Sequence, residues 1–110
     1  MSAPWNSWVP DTPDNAEAGE PCDFRGTPVA VGDTVCWAVR GNSAYMNEGV
    51  VVEVRVNVER HGARGTDGVG RVKHTVTLKC LATGRGSDQW YAPARDRKVT
   101  LSEMKWVVLK

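Results

Sequence analysis

Between Val50 and Glu59 valine takes every second position: Val50, Val52, Val54, Val56 and Val58 alternate with Val51, Glu53, Arg55, Asn57 and Glu59. A period of two is the signature of a strand, whose side chains point to opposite faces in turn, and a helix gives no face at that spacing. The run exceeds the usual strand length, so it is expected to bend and serve two sides of a small barrel. After the glycine-rich "HGARGTDGVG", residues 61–70, the alternation resumes. Val72, His74, Val76, Leu78 and Cys80 fall on one face, and Arg71, Lys73, Thr75, Thr77 and Lys79 on the other. A third segment, Thr34 to Arg40, sets Val35, Trp37 and Val39 against Thr34, Cys36, Ala38 and Arg40.

With 110 residues, 11 of them Gly and 6 Pro, the chain suits one small all-β domain with several turns. Gly32 and Asp33 fit a tight turn before the first strand, and Gly49 lets the next strand start close beside it. "ATGRGSD", residues 82–88, reads as a turn and "QWYA" after it as a short strand. "RKVTLSEMKWVVLK" reads as a brief strand, one helical turn opened by Ser102, and a last strand from Trp106 to Leu109. Five or six strands with one short helical turn before the last describe an SH3-like barrel, whose closure removes exposed edges.

Residues 1–22 differ from the rest. Pro4, Pro10, Pro13 and Pro21 stand among small and acidic residues, which denies the segment both a helix and a continuous ladder of donors. An irregular N-terminal arm is therefore expected, followed by the barrel over residues 23–110. The net charge of +1 conceals an asymmetry: residues 1–24 carry five carboxylates and no Lys or Arg, whereas the remainder holds all 14 basic residues. The start of the chain has no charged and apolar leader pattern, and no apolar run reaches the roughly 20 residues that cross a bilayer. A soluble protein in the cytoplasm, with no membrane partner, is the expectation. Cys22, Cys36 and Cys80 are odd in number and lack C-x-x-C spacing, so reduced thiols are expected.

"DFRGTPVAVGDTVCWAVRGNSAYMNEGVVVEV" and "RKVTLSEMKWVVLK" resemble the opening and closing segments of small uncharacterised proteins from phages of actinobacteria. The likeness spans Asp23 to Lys110, leaves the arm outside, and is interrupted by the long glycine-rich loop. More loosely, Gly-Asp-x-Val before the first strand resembles KOW and other SH3-like barrels. The resemblance implies an SH3-like fold and a phage origin, with action inside the bacterial host.

Catalysis and metal binding find little support. His74 and Cys80 share a face but lie six residues apart, about 20 Å at strand rise, too far to hold one ion. The glycine-rich loop lacks the Lys-Ser/Thr of a P-loop and leads into a strand. No catalytic residue, metal site or cofactor is assigned, and the chain reads as a non-enzymatic binding module. Trp5 and Trp8 in the arm, with Ala44, Tyr45 and Met46 in the loop after Arg40, are residue types that anchor protein interfaces. They would engage a host or phage protein or a second copy in a homodimer, or the tryptophans would pack on their own domain. The alternative is weak, sequence-nonspecific binding of DNA or RNA. Arg60, Arg64, Arg71, Lys73, Arg95, Arg97 and Lys98 would meet phosphates, and Trp90 or Tyr91 would stack on bases.

Overall fold

The computed structural model describes residues 5–40, 44–62, 69–88, 90 and 92–110, with Arg40 and Ala44 described by their backbone alone. Six strands form one antiparallel sheet: β1 (Val9–Pro10), β2 (Thr34–Arg40), β3 (Ala44–His61), β4 (Arg71–Gly86), β5 (Lys98–Leu101) and β6 (Trp106–Val108). The order is β1-β4-β3-β2-β6, and β5 pairs with residues 78–81 of β4, on the same edge that β1 meets at residues 71–72. The all-β expectation holds.

The sheet does not close as the sequence reading expected. Among the described residues no ladder joins β5 to β6. The reason is a mismatch in length: β2 pairs with residues 44–50 of β3, so beyond Val50 the 18-residue β3 has only β4 beside it. The far half of the β3–β4 hairpin therefore projects, giving principal extents of 53 × 30 × 21 Å.

The valine run is also divided. Val51 lies opposite Cys80 and Glu53 opposite Lys79, so Val52 is the extra residue of a bulge that shifts the inward-facing positions by one. Val51, not Val50 or Val52, enters the core; past the bulge Val54, Val56 and Val58 face the same way as Leu78, Val76 and His74. The β4 pattern needs no such correction, since Val72, His74, Val76, Leu78 and Cys80 are all buried.

The turn into β2 is built as the sequence suggests. Gly32 adopts φ +97°, the Asp33 carboxylate accepts from the Ala30 N–H at 2.8 Å, and Gly32 N–H donates to Val51 O at 2.8 Å. Gly49 is required by close approach: a Cβ there would lie 3.1 Å from the Trp37 ring and 3.0 Å from Leu81 O.

Three local expectations are corrected. β4 continues through the "ATGRG" segment to Gly86, although its ladder is irregular there. Trp90 lies in a turn, and no strand forms around it among the described residues. Ser102 to Lys105 is a β-turn with Lys105 N–H on Ser102 O, and its two central residues, Glu103 and Met104, have φ of 58° and 56°. Both values belong to the left-handed region, so the turn is of the primed class instead of a right-handed helical turn. It drives the Met104 side chain into the core beside Trp106 and Val108.

Asp23 fastens the end of the sheet. Its carboxylate, 1% exposed, accepts from the N–H groups of Arg25 (2.9 Å), Thr27 (3.0 Å) and Val108 (3.0 Å), and pairs with the Arg25 guanidinium at 3.1 Å. Arg25 also donates to Val108 O at 2.7 Å. Backbone groups on the outer edge of β6 that a neighbouring strand would satisfy are met by these two side chains instead.

Candidate functional site

The arm docks on its own sheet. Val9 and Pro10 pair with Val72 and Arg71, and Pro13–Asn15 form a single 3-10 turn. Buried His74 donates from Nε2 to Asn15 O at 2.8 Å, and Trp5 packs edge-on against its ring, 6.3 Å between centroids. Trp8, 40% exposed, stacks on His61 at 4.4 Å with Lys73 Nζ 5.8 Å from its ring. Both arm tryptophans are thus engaged within the chain.

The same arm meets the basic hairpin. Arg60 forms an ion pair with Asp11, and Arg71 Nη1 donates to the carbonyls of Val69 and Gly70. Arg60, Arg71 and Lys73 therefore have intramolecular contacts, while Arg64 lies outside the described residues.

The loop assigned to Ala44, Tyr45 and Met46 is instead the start of β3. Alternation decides their fates: Tyr45 points inward at 8% exposure, which withdraws it from a surface role, and Met46 points outward at 42%. The Ala44 side chain is among the features not described.

At the opposite end of the sheet is a cavity of about 660 Å³. Its floor is Trp37 and Asn47, paired across β2 and β3; its wall is the Ala92–Pro93–Ala94 segment with Val99. On the rim stand Trp90, 87% exposed, Arg97 and Lys98. Tyr91 lies outside the described residues. The sequence reading named the rim but missed the floor, although Trp37 and Asn47 can be paired by counting outward along the two strands.

Asn47 is only 6% exposed, and its Oδ1 has no hydrogen-bond donor. The amide lies against Gly86, where a Cβ would come within 2.7 Å of Oδ1. The unsatisfied Oδ1 is thus buried against the β4 backbone, an uncommon state for an amide oxygen in a folded protein.

Arg95 points to a neighbouring depression with Arg85, Glu48 and Asp96. The turn between the two concavities is fixed to β4 by Asp96 N–H on Ala82 O at 2.7 Å and Ala82 N–H on Arg97 O at 2.9 Å. Among the described residues no carboxylate forms an ion pair with Arg85, Arg95, Arg97 or Lys98. Lys98 pairs with Leu81, eight residues or about 26 Å along β4 from Lys73 at strand rise, so the two basic groups read together in the sequence are separate surfaces.

The thiols are not activated. Burial pushes the Cys80 thiol up to about 11; burial also raises Cys22, aided by Asp23 and Glu20, and Cys36, where Arg25 opposes the rise and Glu48 adds to it. No group of three His, Cys, Asp or Glu suited to a metal ion occurs among the described residues. Nor is any helix there long and apolar enough to cross a membrane.

The model of a domain of unknown function, DUF7205, matches residues 21–83, more than half of the chain. The protein belongs to the DUF7205 family. The matched segment runs from the Asp23 anchor through β2 and β3 into β4, so the DUF7205 match covers the scaffold and stops short of Trp90, Arg97 and Lys98. No curated protein and no solved structure matches the chain.

Proposed function

We propose that this DUF7205 protein is a non-enzymatic binding module that takes single-stranded nucleic acid at the Trp90 cavity. The observation that carries this reading is Trp90 itself, a tryptophan 87% exposed on the rim of a concave cavity floored by Trp37 and Asn47, beside two cations that have no ion pair among the described residues. Leaving so large an aromatic surface in water is unfavourable, and a stacked base would cover it. Arg97 and Lys98 supply charge for the adjoining phosphates. Binding of this kind has little sequence preference.

A protein partner is the second reading, favoured by Met46, which is 42% exposed above a shallow depression with Cys36 and Ser87. It draws less support because Trp5, Trp8 and Tyr45 are used within the chain. In both readings the scaffold is an opened SH3-like barrel from an actinobacterial phage, working in the host cytoplasm; the support is the resemblance over Asp23 to Lys110.

The test is fluorescence anisotropy of labelled single-stranded oligonucleotides across a salt series. Trp90→Ala is expected to weaken binding by about 1–3 kcal/mol, the usual worth of one stacked base. Arg97→Ala with Lys98→Ala is expected to reduce the salt slope by about 1.4, or 0.7 for each phosphate contact. Binding that is indifferent to Trp90 refutes the assignment.

A further inference from the structure

We infer that the edge of β3 beyond the bulge is a self-association surface, to which a second copy of this chain adds its own β3 in antiparallel register. The inference does not rest on the Trp90 reading. β2 runs beside β3 only as far as Val50, and the turn before β2 bonds Val51 through the Gly32 N–H and the Asp33 carbonyl. Past that point no strand adjoins this side of β3 among the described residues. The direction of the backbone groups there follows from the arm. Asn6 N–H donates to His74 O at 2.7 Å, so His74 turns its peptide groups away from β3. In an antiparallel ladder the residue opposite such a position also turns its N–H and C=O outward. Val58 lies opposite His74, and the unbroken register carries the same direction to Val54, Val56 and Arg60. Four residues thus present a row of donors and acceptors to the open side.

The edges elsewhere are managed. Asp23 and Arg25 occupy the backbone groups of Val108, and β1 and β5 lie along the outer side of β4. By contrast "VRVNVER", residues 54–60, has no Pro and no Lys, the residues that most often keep an edge from pairing. Val56 and Val58 are 38% and 48% exposed, although they face the same way as buried Val76 and His74. A strand laid along this edge would satisfy the peptide groups and adjoin both valines.

Charge selects a second copy as the occupant. In a two-fold pair, residues with outward peptide groups must face one another, which places the axis on one residue of β3. With the axis on Asn57, Val56 faces Val58 of the second copy, and Arg55 faces its Glu59, twice by symmetry. An axis on Val56 would set Glu53 against Glu59, one on Arg55 would set that residue against itself, and one on Val58 brings neither charge to its opposite. Among the described residues Glu59 has no ion pair, and Arg55 has only a 3.9 Å contact with Glu53. Opposite charges directly across a ladder stabilise it, so the edge is complementary to itself in one register.

The experiment is sedimentation velocity of the full chain over a micromolar concentration series, without nucleic acid. A concentration-dependent dimer is expected. Arg55→Glu and Glu59→Arg, both at exposed positions, are each expected to weaken it roughly tenfold, because two attractive cross-strand pairs become repulsive. Mixing the two variants is expected to restore a dimer of one copy of each, since every reversed charge then meets its opposite. Val56→Pro removes an outward N–H without entering the ladder to β4, as a proline on an edge strand can, and is expected to abolish the dimer. Should that variant unfold in circular dichroism, the two charge reversals decide the matter. A chain that stays monomeric at every concentration overturns the inference and leaves the edge to a strand of another protein. A dimer that ignores both charge reversals, or that mixing fails to restore, also overturns it.

Discussion

Removing the Asp23 carboxylate tests the account of how this open sheet is held at its β6 edge. In Asp23→Ala three backbone N–H groups, those of Arg25, Thr27 and Val108, lose their acceptor together, and Arg25 loses its counter-ion. A buried donor left unsatisfied costs about 1–3 kcal/mol. The Val108 donor is in the interior, whereas those of Arg25 and Thr27 lie where water can partly replace the carboxylate. The expected loss is therefore about 3–5 kcal/mol, as for breaking a buried ion pair. Asp23→Asn keeps one acceptor and is expected to lose about half of that. Acid should reproduce part of the effect. Burial alone would raise the Asp23 pKa, but the hydrogen bonds from Val108, Thr27 and Arg25 outweigh it and hold the carboxyl below its ordinary 3.8. A depressed carboxylate stabilises the fold above its unfolded pKa, and that stability is lost as pH falls through the folded value. Urea unfolding of the wild type should thus show a steeper decline in stability below about pH 4 than Asp23→Ala, in which only other depressed carboxylates such as Asp33 contribute. A loss under 1 kcal/mol at pH 7, or equal acid sensitivity in both proteins, would refute the reasoning.

Three further outcomes follow from the geometry. Gly86→Ala places a methyl 2.7 Å from Asn47 Oδ1 and 2.9 Å from Met46 O; it should destabilise by about 1–3 kcal/mol through overpacking and weaken oligonucleotide binding by displacing the cavity floor. Trp90→Ala should leave the urea midpoint within about 0.5 kcal/mol of wild type, as surface changes do, because the ring is 87% exposed; a larger loss would mean that the residue is structural. Cys80, buried with its thiol raised to about 11, should resist a thiol reagent at pH 8 until urea unfolds the chain, while the partly exposed Cys22 and Cys36 react sooner.

The core of the sheet was legible because alternation is a local property. His74 through Cys80 are inward positions in both sequence and structure, and the Gly32–Asp33 turn has a local mechanism. The bulge at Val52 was not legible, since Val50 to Val58 repeat the same residue at every second place and only the pairing with β4 reveals the extra position. The openness of the sheet was hidden for a related reason: strand lengths decide it, and the "ATGRG" composition signalled a turn where β4 continues. At the candidate site, Trp90, Arg97 and Lys98, grouped in the sequence by type and nearness, line one cavity. Type alone could not tell Tyr45 from Met46, because adjacent residues on a strand face opposite ways and the register fixes which is buried. Asp23 was visible only as the first residue of the "DFRGTPV" segment, and its contact with Val108 spans 85 residues.

The distribution of ion pairs separates scaffold from surface. Arg25, Lys79, Lys105 and Lys110 each have a carboxylate on the body of the sheet, and Arg60 has one from the arm. Among the described residues the cations around the Trp90 end have none, although Asp88, Asp96 and Glu48 lie close to them in sequence or space. Glu48 is engaged by the Thr83 hydroxyl and Asp88 by the Trp90 N–H. Those contacts turn the carboxylates to local backbone and hydroxyl partners and leave the guanidinium and ammonium groups facing water. Exposed pairs are weak, so forgoing them costs stability little, whereas each unpaired cation strengthens the local field that draws a polyanion. The arm shows the converse arrangement: it carries its own carboxylate and aromatic ring to the hairpin's basic end and neutralises it. One end of the sheet thus keeps cations without an ion pair among the described residues, and at the other the arm supplies a carboxylate to Arg60.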